Sequence, residues 1–181
     1  MELEVLNQNG SEDSKVSLAE EVFNQAFNQD LVHQLVNTYI HNSHQRTKGQ
    51  KNRSAVRGGG MTFAHTYSDI KPKKINKKMY RSAMRSIWSM LAEENRLVAV
   101  KDLKIDEPIK SSQVKTILSD LGLDTALIVV SSKNDNLNKA SKNLTECKVQ
   151  TINSIDPSAL IQAEKVLVTS AALEKLTEVL S

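Results

Sequence analysis

Apolar positions along this chain follow two periods, separated by a stretch that follows neither. Residues 2–6 alternate acidic and apolar side chains, which predicts a short strand. Asn9-Gly10 then signals a turn, and residues 15–18 supply a second strand for a small hairpin. Residues 19–27 predict one or two helical turns. Over 28–42 the two series Leu31, Leu35, Tyr39 and Val32, Val36, Ile40 recur at helical spacing, with Asn28 placed to cap the start and Asp30 suited to the first turn. A second amphipathic helix is predicted over 77–94. Its apolar face is Met79, Ala83, Ile87, Met90 and Leu91, and Lys77, Lys78, Arg81 and Arg85 lie largely off that face.

Beyond residue 96 short apolar runs alternate with helical patterns. LVAV (97–100), ALIVV (126–130), 148–152 and KVLVT (165–169) read as strands. Helices are predicted over 111–121, ended by Gly122, and over 135–143. Another opens at Asp156-Pro157, and a last one is capped by Ser170 with Leu173, Leu176, Val179 and Leu180 inward. Such alternation implies an α/β fold: a mostly parallel sheet with helices on both faces, a three-layer, Rossmann-like arrangement. The globular domain is expected to comprise 1–42 and 75–181, with 43–74 an extended basic loop.

Charge sharpens this division. From His44 to Trp88 the chain holds 12 of its 24 Lys and Arg residues but only one acid, Asp69. The net charge of that stretch is +11 and that of the remainder −8, a polarity hidden in the overall +3. From 42 to 60 only Ala55 and Val56 are apolar. A run without apolar period of this length is a functional or disordered extension, and its concentrated cations call for a polyanion. Arg46, Lys48, Lys51, Arg53, Arg57, Lys71, Lys73, Lys74, Lys77, Lys78, Arg81 and Arg85 are the candidate phosphate contacts. Gly58, Gly59 and Gly60 allow close backbone approach and match no nucleotide-loop signature. Phe63 and Tyr67 are candidates to stack on unpaired bases, whereas Tyr80 and Trp88 are expected to pack their helix onto the domain. Contact of eight cations with phosphates would give a log K against log salt slope of about −6.

Other chemistry finds less support. The four histidines, His33, His41, His44 and His65, all precede the main sheet, and the loops after its strands offer only hydroxyls, amides, lysines and carboxylates. His41 and His44, at i and i+3, could share a metal, but the chain has a single Cys and no carboxylate pair near them in sequence, so zinc is not expected. The single Cys147 reads as a small structural thiol and fits a reducing compartment. No apolar run is long enough for a membrane span, and the acidic N-terminus has no signal-peptide pattern, so a cytoplasmic protein is expected. No catalytic residue, metal, cofactor or small-molecule substrate is expected. No recognition-helix motif is present, so structured RNA suits the loop better than a DNA groove.

Four stretches carry a resemblance: LVHQLVNTY (31–39), QRTKGQKNRSAV (45–56), RGGGMTFAHTYSD (57–69) and INKKMYRSAMRSIWSML (75–91). RLVAV, NLNKASKNL and KVLVTSAALEKLTEVL extend it to the C-terminal half. Together they resemble the bacterial large-subunit ribosomal protein four family. The resemblance implies a structural constituent of the large ribosomal subunit that binds large-subunit rRNA and touches neighbouring ribosomal proteins, its long loop reaching the wall of the peptide exit tunnel. Some bacterial members also repress their own operon by binding the mRNA leader. One departure stands out. The family carries a Gly-, Arg- and Lys-rich tip of about two dozen residues where Val56 here runs directly into Arg57. With both flanks intact, the tip is missing rather than diverged: either deleted, or an unordered segment absent from this chain.

Three readings follow. The first is a non-enzymatic rRNA-binding constituent of the large subunit. The second is a regulatory RNA-binding protein acting on mRNA with the same surface. The third is an α/β enzyme acting on nucleotides, which would show a pocket with convergent polar groups at the strand C-termini.

Overall fold

The computed structural model describes residues 2–45, 47, 49–65, 71–105 and 107–181. Strands β1 (Glu2–Leu6) and β2 (Glu12–Ser17) form the hairpin, β2 starting earlier than its apolar residues suggested. The turn at Gly10 is tight. Its φ is +76°, and a Cβ there would stand 2.6 Å from the Asp120 carbonyl oxygen. Helix α1 spans only Glu20–Phe23, α2 spans Gln29–Ser43 and α3 spans Lys77–Glu93. Then come β3 (Leu97–Val100), α4 (Ser111–Asp120), β4 (Ala126–Val130), α5 (Asp135–Ser141) and β5 (Cys147–Thr151). A single 3-10 turn (Ile152–Ser154) leads to α6 (Pro157–Gln162), β6 (Val166–Thr169) and α7 (Ser170–Leu180).

The strands make one open sheet in the order β2-β1-β3-β6-β4-β5, parallel throughout except for the β1–β2 pair. The strand alternation sorts the core into two layers. Leu97, Ala99, Leu127, Val129, Val166 and Val168 join the layer built by α1, α2, α3, α6 and α7. Val100, Ala126, Ile128, Val130 and Leu167 point the other way, against Val114 and Leu118 of α4 and Leu137 and Ala140 of α5. Strands covered on both faces read as continuous apolar runs, which is why LVAV, ALIVV and VLVT were legible.

Helix α3 is the keystone of the larger layer. Ile87, Trp88 and Leu91 are fully buried, and Trp88 meets Phe23 edge-on with ring centroids 6.4 Å apart. The buried face is wider than the expected stripe. Met84, Ser86, Trp88 and Ser89 are enclosed, whereas Met79 and Met90 are half-buried. The cause is that α1, α2, α6 and α7 all pack on it. Its two buried serines also explain why α1 is so short. Ser89 Oγ donates to the Val22 carbonyl (3.1 Å) and accepts from the Gln25 N–H (3.0 Å), and Ser86 Oγ donates to the Ala26 carbonyl (3.3 Å). Backbone groups that would continue α1 are thus bonded across to α3.

Several helix ends follow their chemistry, and one expected cap does not. Asn28 Oδ1 accepts from the Leu31 N–H, and Asp156 Oδ1 accepts from the Ser158 N–H. Gly122 closes α4 with φ +66°. Ser170, expected to cap α7, lies inside its first turn and donates instead to the Lys101 carbonyl (2.9 Å), with Thr169 at the cap position. Two arginines finish other helices. Arg96 donates to the Ile161 and Ala163 carbonyls at the end of α6, and Arg85 donates to the Leu180 and Ser181 oxygens at the end of α7.

Candidate nucleic-acid interface

The basic stretch leaves the domain at the end of α2 and returns at the start of α3. Among its described residues, Lys51, Arg53, Arg57, Lys71, Lys73, Lys74, Lys77 and Lys78 are exposed, as are Gly58, Gly59 and Gly60. None of these cations belongs to any of the six ion pairs found among the described residues, which use Lys15, Arg96, Lys101, Lys104, Lys115 and Lys133. With no acid paired to them among the described residues, these cations are open to an outside anion. Arg46, Lys48 and the aromatic candidate Tyr67 lie outside the described residues.

The two arginines of α3 stand apart from this array. Arg85 is half-buried. Its Nε donates to the Leu180 carbonyl (2.7 Å), and its Nη2 donates to the same oxygen and to Ser181 O (2.7 Å). Arg81 stays exposed, with one long hydrogen bond from Nη1 to Ser181 O (3.4 Å). The burial that widens the apolar face of α3 therefore leaves its cationic surface to the first turns, Lys77, Lys78 and Arg81.

The aromatics divide as their positions suggest. Phe63 is 91% exposed and free to stack. Trp88 is fully buried and cannot reach a base, and Tyr80 is 38% exposed beside Tyr39. Burial raises the Tyr80 hydroxyl above its ordinary range, with Tyr39 a smaller contributor.

The loop also carries local order that neither period nor composition announced. Asn42, the penultimate residue of α2, grips Lys73 twice. Its Nδ2 donates to the Lys73 carbonyl (2.8 Å), and its Oδ1 accepts from the Lys73 N–H (2.9 Å). Further out the Gln50 N–H donates to the His65 carbonyl (3.0 Å), and Gln50 Oε1 accepts from the His65 N–H (3.3 Å). At the head the Met61 N–H donates to the Lys51 carbonyl (3.2 Å), and Asn52 Oδ1 accepts from Ser54 Oγ and the Ala55 N–H. Gly60, at φ +84°, passes so close that a Cβ would stand 2.7 Å from the Asn52 carbonyl oxygen. The available sequence signal was Asn and Gln flanking a basic run, residue types that hydrogen-bond backbone readily.

Among the described residues the strand C-termini hold no comparable set of unpaired charges. A depression of about 340 Å³ lies there, lined by Asn7, Gln8, Asn9, Ser11, Lys101, Asp102 and Lys104. Lys101 is paired with Asp13 (2.9 Å) and Lys104 with Asp102 (3.4 Å). The Lys101 hydrogen bond, helped by Asn7, holds the Asp13 carboxyl below its ordinary value. Cys147 is buried, and burial followed by the Glu146 charge pushes its thiol up, which suits an inert core residue. No cluster of three or more metal-ligating side chains occurs among the described residues, and no helix of the described residues is long and apolar enough to cross a membrane.

The sequence model of the ribosomal protein L4/L1 family matches residues 16–63 and 55–179. The chain belongs to that family. Among similar proteins, "Large ribosomal subunit protein uL4" of Teredinibacter turnerae is 39% identical over the whole of both chains, and its namesake in Saccharophagus degradans is 39% identical over 99% of this chain and all of its own. That of Hahella chejuensis is 39% identical over 95% of this chain and 97% of its own. The first alignment runs over 207 positions against 181 residues here, a difference of 26. The two parts of the family match meet at residues 55–63, around the Val56-Arg57 junction where the family resemblance implied a missing tip.

Proposed function

We propose that this member of the ribosomal protein L4/L1 family is a non-enzymatic constituent of the large ribosomal subunit that binds large-subunit rRNA. In this reading 1–42 and 75–181 are the domain and 43–74 the RNA-binding loop. The phosphate contacts are Arg46, Lys48, Lys51, Arg53, Arg57, Lys71, Lys73 and Lys74 of the loop, with Lys77, Lys78 and Arg81 of α3. Phe63 stacks on an unpaired base, and Gly58, Gly59 and Gly60 let the backbone meet the sugar–phosphate chain. Arg85 is assigned to the domain rather than to RNA. The acidic remainder faces solvent or neighbouring ribosomal proteins, and the protein works in the cytoplasm, where bacterial ribosomes are.

The supporting observation is the set of exposed cations that have no acidic partner among the described residues, on a chain that is otherwise net acidic. The finer partners follow from the same surface. The loop points toward the peptide exit tunnel, and the protein's own mRNA leader competes for the cations that bind rRNA. Filter binding of large-subunit rRNA over a range of salt tests the proposal. Simultaneous contact of about eight of these eleven cations with phosphates gives a log–log slope of about −6, and unlabelled leader RNA displaces the rRNA. A slope near zero, or binding that survives conversion of Lys71, Lys73, Lys74, Lys77 and Lys78 to Gln, would overturn it.

A further inference from the structure

We infer that Asn42 and Gln50 are positioning residues that close the base and stem of the basic loop, so that its cations leave the domain in a fixed direction before RNA arrives. The inference rests on the RNA-binding reading and assigns no RNA contact to either residue. Asn42 belongs to α2, a helix pinned to the core by Val32 and Leu35. Its carboxamide makes two reciprocal hydrogen bonds, at 2.8 and 2.9 Å, with the backbone of Lys73, 31 residues along the chain. That pairing reproduces with one side chain what two strands exchange in a ladder. It places Lys73 beside the last turn of α2 and brings Lys71 and Lys74 with it.

Gln50 repeats the device further out. Its backbone N–H and its side-chain oxygen both engage the backbone of His65. The Lys51–Met61 bond and the close pass of Gly60 against Asn52 finish the series. Without these ties the described residues of the two arms would lose the hydrogen bonds that join them, and binding would bear more of the ordering entropy of both arms. With them part of that ordering precedes binding.

The test uses the full chain and large-subunit rRNA. Asn42→Ala removes both bonds, whereas Asn42→Asp keeps the acceptor and removes the donor to the Lys73 carbonyl. Asn37→Ala, on the same helix and bonded to His33, is the control. Asn42→Ala should weaken rRNA binding about tenfold, leave the salt slope unchanged because no phosphate contact is lost, and leave thermal unfolding within about 1 °C. Exchange of the Lys73 amide should speed up in Asn42→Ala and less in Asn42→Asp, whose carboxylate still accepts from it. Unchanged affinity in Asn42→Ala and Gln50→Ala, with wild-type binding intact, would overturn the inference. A slope that falls by a unit would overturn it too, since Asn42 would then act through phosphate contacts. Absence of wild-type rRNA binding would instead sink the RNA-binding reading.

Discussion

Arg85 separates two accounts of the same helix. Its charge and sequence position put it among the RNA contacts, whereas the structure turns its guanidinium onto the last oxygens of α7. Arg85→Ala would remove donors from the Leu180 carbonyl and Ser181 O, groups with no intrahelical partner. Hydrogen bonds from a charged donor contribute about 1.5–3 kcal/mol, and a cation at a helix C-terminus about 0.3–1 kcal/mol. Because the side chain is only half-buried, water replaces part of this, and about 2 kcal/mol is the expected loss. For a chain of this length that lowers Tm by about 4–8 °C. Arg85→Lys keeps the charge but not the fork, so it should recover less than half of the loss. Circular dichroism melts of the three proteins give the answer, with rRNA filter binding alongside. If Arg85→Ala melts within about 1 °C of wild type while its salt slope is shallower by about one unit, the assignment is wrong and Arg85 belongs to the RNA surface.

Other expectations are smaller in scope. Asn28→Ala removes the cap on α2 and should cost about 1 kcal/mol, lowering Tm by about 2–4 °C without altering RNA affinity at fixed salt. Gly60→Ala meets both a positive φ and the Asn52 carbonyl, so rRNA binding should weaken while the domain melts as before; equal affinity would show that the loop head does not matter. Alkaline pH should destabilise the fold. Burial raises the Cys147 thiol above its ordinary 9.0, so above that pH the unfolded chain loses a proton that the folded chain keeps, and stability falls as pH rises. Urea midpoints should therefore drop between pH 8 and 10, less so in Cys147→Ala, and equal drops in both proteins would exclude the thiol as the cause.

The inner strands β3, β4 and β6 were legible because they are buried on both faces, so runs such as ALIVV hold five buried residues and little else. The amphipathic helices were legible through their spacing, and Asn28 and Asp156 through their capping chemistry. What stayed hidden depends on partners distant in sequence. Ser170 resembles a cap, yet the Lys101 carbonyl takes its hydroxyl. Ser86 and Ser89 of α3 look like solvent positions, yet they bond the 22–26 segment and shorten α1. Lys77 and Arg85 look alike along the chain, and only the docking of α7 tells them apart. The candidate interface was visible in outline from charge alone, but Asn42 was not, because its partner is a backbone group 31 residues away.

The central claim is that the basic loop carries this chain into the large ribosomal subunit. Its most direct test is sucrose-gradient sedimentation of a lysate expressing the tagged wild type or the variant with Lys71, Lys73, Lys74, Lys77 and Lys78 changed to Gln. The account predicts that the wild type migrates with large subunits while the folded variant stays near the top of the gradient. Wild type found only among small soluble proteins, or a variant that migrates with large subunits as fully as the wild type, would contradict it.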